Sequence, residues 1–181
     1  MDAIELLMHD HRMVEQLFRD YSAAATDQQR RGVVDIVIRE LSKHAALEEL
    51  MFYPLAKQVL PQGGEEIREH LSEHMAVKKL LLQLDGLDAG DARTNQLMRE
   101  LEQDVSEHVE EEEQQLMPQL RESVDAQALD ELGAELDKAK QTAPTRPHPN
   151  APDEPPTLAM AAPVAAIYDR LRDRLQGRPQ T

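Results

Sequence analysis

The chain has 181 residues, a net charge of −15 and no cysteine. That length fits one domain with an appendage, and the missing thiols exclude disulfides, cysteine-ligated zinc and iron–sulfur clusters. The acidic balance argues against nucleic acid or an anionic membrane surface as partner, and no run of about 18 apolar residues suggests a membrane span.

Apolar residues recur at helical spacing in four long stretches. The first, 2–24, opens without a basic leader, so no signal peptide is visible and a cytoplasmic location is expected. It carries Leu7, Met8, His11, Val14, Leu17 and Phe18 on one side. The second, 28–60, aligns Val37, Leu41, His44, Leu47 and Met51 and ends at Pro61-Gln62-Gly63-Gly64. The third, 65–85, carries Ile67, His70, Leu71, His74, Val77 and Leu81, and turns follow at Asp85-Gly86 and Ala89-Gly90-Asp91. The fourth, 92–122, carries Leu97, Leu101, Val105, His108 and Leu116. Pro54 and Pro118 are expected to kink the second and fourth helices or end their regular part. A shorter helix is expected over 125–140. These elements predict an all-α, up-down-up-down four-helix bundle over residues 1–140.

From 141 the composition changes. Eight of the eleven prolines lie in 144–179, which predicts an extended, mobile linker over the start of a second region, 141–181. Near its end Val164, Ile167, Tyr168, Leu171 and Leu175 share a helical stripe. That stripe reads either as a short terminal amphipathic helix or as a partly ordered tail.

The bundle contains a repeat. His44, Glu48, Glu49 and Pro54 form the pattern HxxxEExxxxP, and so do His108, Glu112, Glu113 and Pro118, 64 residues later. Asp10-His11 likewise resembles Glu73-His74, 63 residues on. Two helical hairpins therefore look like copies, which would face their polar groups across a pseudo-twofold axis.

Six of the seven histidines lie between positions 9 and 108, each with an apolar residue three places earlier. Positions i and i−3 share a helix face, so His11, His44, His70, His74 and His108 are expected to point into the core. One inward histidine is ordinarily a hydrogen-bonded structural residue. Five in one core would be expensive unless something polar binds them together. Glu48 lies four after His44 and Glu112 four after His108, so each pair points inward together. Asp10, Glu49, Glu111 and Glu113 fall off that register and are expected in solvent, and Glu110–Glu113, Glu112 apart, reads as an exposed acidic face. His9, about 200° around the helix from His11, is expected at the surface or rim. Phe52 is expected to wall the site, and Met8, Met51 and Met75 to fill the core. Tyr53 is expected to serve packing, with a hydroxyl reaching the site's surroundings as the alternative. Five imidazoles and two carboxylates without a thiolate suit iron, manganese or zinc, and bridging carboxylates suit two metals. No histidine has an acid three places before it, so the ferritin-like Glu-x-x-His pattern is absent.

The order His11, His44-xxx-Glu48, His70-xxx-His74, His108-xxx-Glu112 resembles the hemerythrins and the wider HHE cation-binding proteins. The resemblance covers residues 1–140. It implies two non-haem irons, oxo- or hydroxo-bridged, with Glu48 and Glu112 bridging them. His70, His74 and His108 would complete one iron and His11 and His44 the other, leaving a position for oxygen, hydrogen peroxide or nitric oxide. Oxygen-carrying hemerythrins usually place an Asp five residues after the last histidine, whereas this chain has Glu112 four after His108. The resemblance therefore points to peroxide turnover (catalase-like) or nitric oxide handling in stress defence, with reversible oxygen binding, storage or sensing as the alternative.

Overall fold

Capping side chains mark where three of the helices begin. Among the residues described, 1–154, the computed structural model has no strand and seven α-helical segments. These are α1 (Ala3–Ala23), α2 (Asp27–Leu47), α3 (Tyr53–Val59), α4 (Gly63–Asp85), α5 (Thr94–Glu111), α6 (Met117–Ser123) and α7 (Ala126–Lys140). Asp2 caps α1, accepting from the Glu5 N–H at 2.9 Å while the Glu5 carboxylate accepts the Asp2 N–H. Thr26 and Gln29 make the same reciprocal pair at the start of α2, and Asp125 caps α7. The terminal stripe predicted from Val164 to Leu175 lies outside the described residues.

The two predicted proline kinks take a specific form. A π-helical turn, Glu48–Phe52, joins α2 to α3, and a second, Glu112–Leu116, joins α5 to α6. Pro54 and Pro118 sit in the first turn of the segments that follow. Inside a helix a proline has no N–H to give, and its ring crowds the carbonyl four residues back. The wider turn absorbs this without breaking the rod: the Tyr53 N–H reaches the Glu48 carbonyl, and the Met117 N–H reaches that of Glu112. Both turns begin at a glutamate of the repeat, so the duplication extends to backbone geometry.

Two apolar layers sandwich a polar one. One layer includes Leu7, Leu47, Phe52, Leu71 and Leu116, and the other includes Val14, Leu41, Val77 and Val105. Along α1 the order is Leu7, His11, Val14; along α2 it reverses to Leu41, His44, Leu47. Along α4 it is Leu71, His74, Val77, and from α5 onward it reverses again as Val105, His108, Leu116. This alternation is the up-down-up-down arrangement. Each buried Leu or Val side chain contributes about 1.5–3 kcal/mol, and the two layers hold the histidine layer between them.

A fifth helix and the chain beyond it complete the unit. Helix α7 packs on α1 and α2 through buried Leu129 and Leu136. It approaches so closely that a Cβ on Gly133 would stand 2.5 Å from the Met1 carbonyl oxygen. The expected mobile linker differs at its start, where residues 143–147 are buried. Arg146 reaches Asp85 at 2.6 Å, and both side chains are buried. Proline-rich chain has little conformational freedom to lose on docking, so its composition does not keep it in solvent.

Candidate metal centre

All seven residues of the predicted set meet in the layer between the two apolar clusters, and every one is buried. From α1 and α2, His11 Nε2 and His44 Nε2 converge to 3.1 Å. From α4 and α5, His74 Nε2 and His108 Nε2 do the same, also at 3.1 Å. The glutamates that open the π turns lie between these pairs and divide their oxygens. Glu48 Oε1 is 3.1 Å from His44 Nε2 and Oε2 is 3.2 Å from His74 Nε2. Glu112 Oε2 is 3.4 Å from His11 Nε2 and Oε1 is 3.6 Å from His108 Nε2. His70 joins His108 and Glu112 on the second side. Each carboxylate thus spans two nitrogen clusters, with one oxygen directed to each.

Among the described residues, both Glu48 oxygens and Glu112 Oε2 are buried and accept no hydrogen bond. Two carboxylates this deeply buried and accepting no hydrogen bond are costly in a protein interior unless positive charge lies between them. A cation held jointly by these oxygens and the convergent nitrogens removes that cost. Imidazole nitrogen with carboxylate oxygen is a donor set for iron, manganese or zinc, so the residues present fit a bound metal.

Outside this ring lies a second ring of carboxylates. His11 Nδ1 is 2.8 Å from Glu113, His74 Nδ1 is 3.0 Å from Glu49, and His108 Nδ1 is 2.6 Å from Glu73. His44 Nδ1 faces Asp10 at 3.8 Å. An Nδ1–H directed at a carboxylate fixes the ring and turns Nε2 inward as the donor to a metal. The pattern obeys the repeat: Asp10 and Glu73 serve His44 and His108, while Glu49 and Glu113 serve His74 and His11.

These contacts correct the expectation that Asp10, Glu49 and Glu113 are solvated. Asp10 and Glu49 are each 2 % exposed, and Glu113 is partly buried. Glu110 and Glu111 are exposed as expected, and His9 projects into solvent. Tyr53 does more than pack. Its hydroxyl donates to Glu112 Oε1 at 2.8 Å and lies 3.0 Å from His74 Nε2, and its ring stacks on His70.

Electrostatics reinforce the geometry. Burial works to lower the His44 pKa, but the charges of Glu48 and Asp10 outweigh it and raise it to about 10. Burial likewise opposes His74, whose contacts with the Glu48 and Glu49 carboxylates raise it to about 9. Burial pushes the Glu48 carboxyl up, yet His44 and His74 hold it well below the usual carboxylate range. Burial and the charges of Glu112 and Glu48 push the Tyr53 hydroxyl well above its ordinary value, so it stays a proton donor.

Two asymmetries break the repeat. Tyr53 has Met117 at the corresponding position of the other copy, and His70 has no counterpart on the His11/His44 side. The second side therefore holds three imidazoles and a phenol, and the first only two imidazoles. A groove of about 210 Å³ between α1 and α5 reaches the poorer side at His11. Val14, Phe18, Val105 and Val109 wall it, and Arg12, Glu15, Glu110 and Glu113 lie around it.

Comparison with known proteins agrees with this architecture. The hemerythrin HHE cation-binding domain profile matches residues 2–120. A hemerythrin-like protein of Schizosaccharomyces pombe is 27 % identical over 176 residues, which cover 97 % of this chain and 87 % of that one. A DNA nickase of Nostoc is 24 % identical over 140 residues, 77 % of this chain, which spans only 39 % of that longer protein. The crystal structure of a hemerythrin HHE cation-binding domain-containing protein from Mycobacterium kansasii superposes with a TM-score of 0.68 at 22 % identity. That superposition covers 78 % of this chain and 86 % of the other and shows a shared fold.

Proposed function

The chain belongs to the hemerythrin HHE cation-binding domain family, and on that premise we propose that it holds two non-haem irons and turns over hydrogen peroxide in stress defence. His11 and His44 would hold one iron with Glu48 Oε1 and Glu112 Oε2. His70, His74 and His108 would hold the other with the remaining carboxylate oxygens. Two adjacent irons held there would supply a two-electron couple, so that one peroxide could take up two electrons and two protons to give two waters while a second returned them in becoming dioxygen.

The asymmetry of the centre carries this reading. Fewer protein donors on the His11/His44 side leave room for an exogenous ligand there, and His11 lines the groove. About 210 Å³ is below the range of about 300–1,000 Å³ typical of organic-ligand pockets, so the groove suits a molecule of a few atoms. Arg12 at the rim pairs with Glu15 and Glu113, so with Glu110 the three carboxylates leave a net negative charge there, which favours neutral peroxide, nitric oxide or dioxygen. The net charge of −15 also disfavours nucleic acid as a partner. No helix among the described residues is long and apolar enough to cross a membrane.

The test is peroxide addition to the ferric, iron-loaded protein with an oxygen electrode. The expected result is one dioxygen released for every two peroxides consumed. Val109→Trp, which fills the groove, should slow turnover without lowering iron content. A wild type inert to peroxide, whose ferrous form takes up dioxygen and releases it unchanged under vacuum, would replace turnover with reversible oxygen binding.

A further inference from the structure

Three of the outer carboxylates that face imidazoles are themselves held by a cation. Arg12 on α1 contacts Glu113 beside His11. Lys78 on α4 contacts Glu49 beside His74 at 2.6 Å. The third cation is Lys140, which reaches Asp10 beside His44. It alone comes from outside the four-helix core, from the last turn of α7 and beyond the segment 2–120 that matches the family.

The Asp10–His44 contact is also the loosest of the set. Asp10 Oδ2 and His44 Nδ1 face each other at 3.8 Å, and among the described residues neither atom has a hydrogen-bond partner. Asp10 is 2 % exposed, and a carboxylate so deeply buried is held in place best by a paired cation. The Lys140 ammonium pairs with Oδ1 and leaves Oδ2 turned toward the imidazole. Close packing at Gly133 fixes α7 against the start of α1 and so brings Lys140 to this point.

We propose that Lys140 is a positioning residue for the centre: it holds Asp10 toward His44 and so ties metal retention on the His11/His44 side to docking of the C-terminal helix. The inference rests on the metal-binding reading above. Lys140 touches neither metal nor substrate. Its effect passes through Asp10, which orients His44 so that Nε2 points at the shared metal position.

The test uses the full chain loaded anaerobically with ferrous iron and measures iron transfer to a chromogenic chelator. Lys140→Met should speed release of one of the two irons by about 10-fold or more, the usual scale for an outer partner of a ligand. Helix content should be unchanged and the slower iron unaffected, and Lys140→Arg should restore slow release. Asp10→Asn with Lys140→Met should be no faster than Asp10→Asn alone, because both act through one contact. Should Lys140→Met unfold, Lys140→Gln, which keeps a donor but loses the charge, carries the same comparison. Release at the wild-type rate from a folded variant, additive effects in the double variant, or no rescue by arginine would overturn the proposal. A wild type that retains no metal in the same assay would instead remove the metal reading itself.

Discussion

Replacing Glu48 or Glu112 with alanine is expected to reduce metal affinity by more than about 100-fold, the upper end for loss of a mere outer partner. Each carboxylate directs one oxygen to each nitrogen cluster, so either substitution damages both halves of the centre. Asp10→Asn, Glu49→Gln and Glu113→Gln should fall between, at about 10- to 100-fold, because they keep the ligands and lose only the groups that orient them. Glu110→Ala, on the exposed face, should leave metal affinity unchanged. Competition against a chelator of known affinity reads all six variants. Six equal losses would mean that acidity alone, rather than this geometry, retains the metal.

Chelation of the metal should produce the second large effect, a fall in thermal stability. A ligand present at about 1,000 times its Kd stabilises the folded state by about 4 kcal/mol. In a chain of this size each kcal/mol moves Tm by about 2–4 °C, so stripping should lower it by about 10 °C. The gap should widen with pH. His44 and His74 have folded pKa values of about 10 and about 9, above their ordinary 6.5. Their charged forms stabilise the metal-free fold fully below pH 6.5, and this contribution disappears as pH rises through 9 and 10. Metal binding runs the other way, since it displaces those protons and strengthens as pH rises. Melting of loaded and stripped protein between pH 6 and 9 by calorimetry would check both signs. A gap that narrows over this range would contradict the protonation pattern.

Much of the bundle is legible because the periodic stripes are long and the turns carry Gly, Pro and Asp. The inner site is legible for a related reason: His44 with Glu48, and His108 with Glu112, stand one turn apart on a face already marked as core. The outer carboxylates are not, because they act between helices. Asp10 lies about 100° around α1 from His11 and reads as solvent-facing on that helix alone. Its partner is His44 on α2, just as that of Glu113 is His11 on α1. The repeat did hold the signal, since it duplicates an acid before His11 and His74 and a second acid after Glu48 and Glu112. Tyr53 had no such signal, because Met117 stands at its repeat position. Docking of 143–147 was hidden because proline content reports backbone stiffness and says nothing about a buried partner such as Asp85 for Arg146.

Metal analysis decides whether Glu48 and Glu112 would share two irons. Protein produced with ample iron should contain two irons per chain and show the near-ultraviolet absorption of oxo-bridged ferric iron. One equivalent of zinc per chain, with no iron and no such absorption, would contradict the two-iron reading.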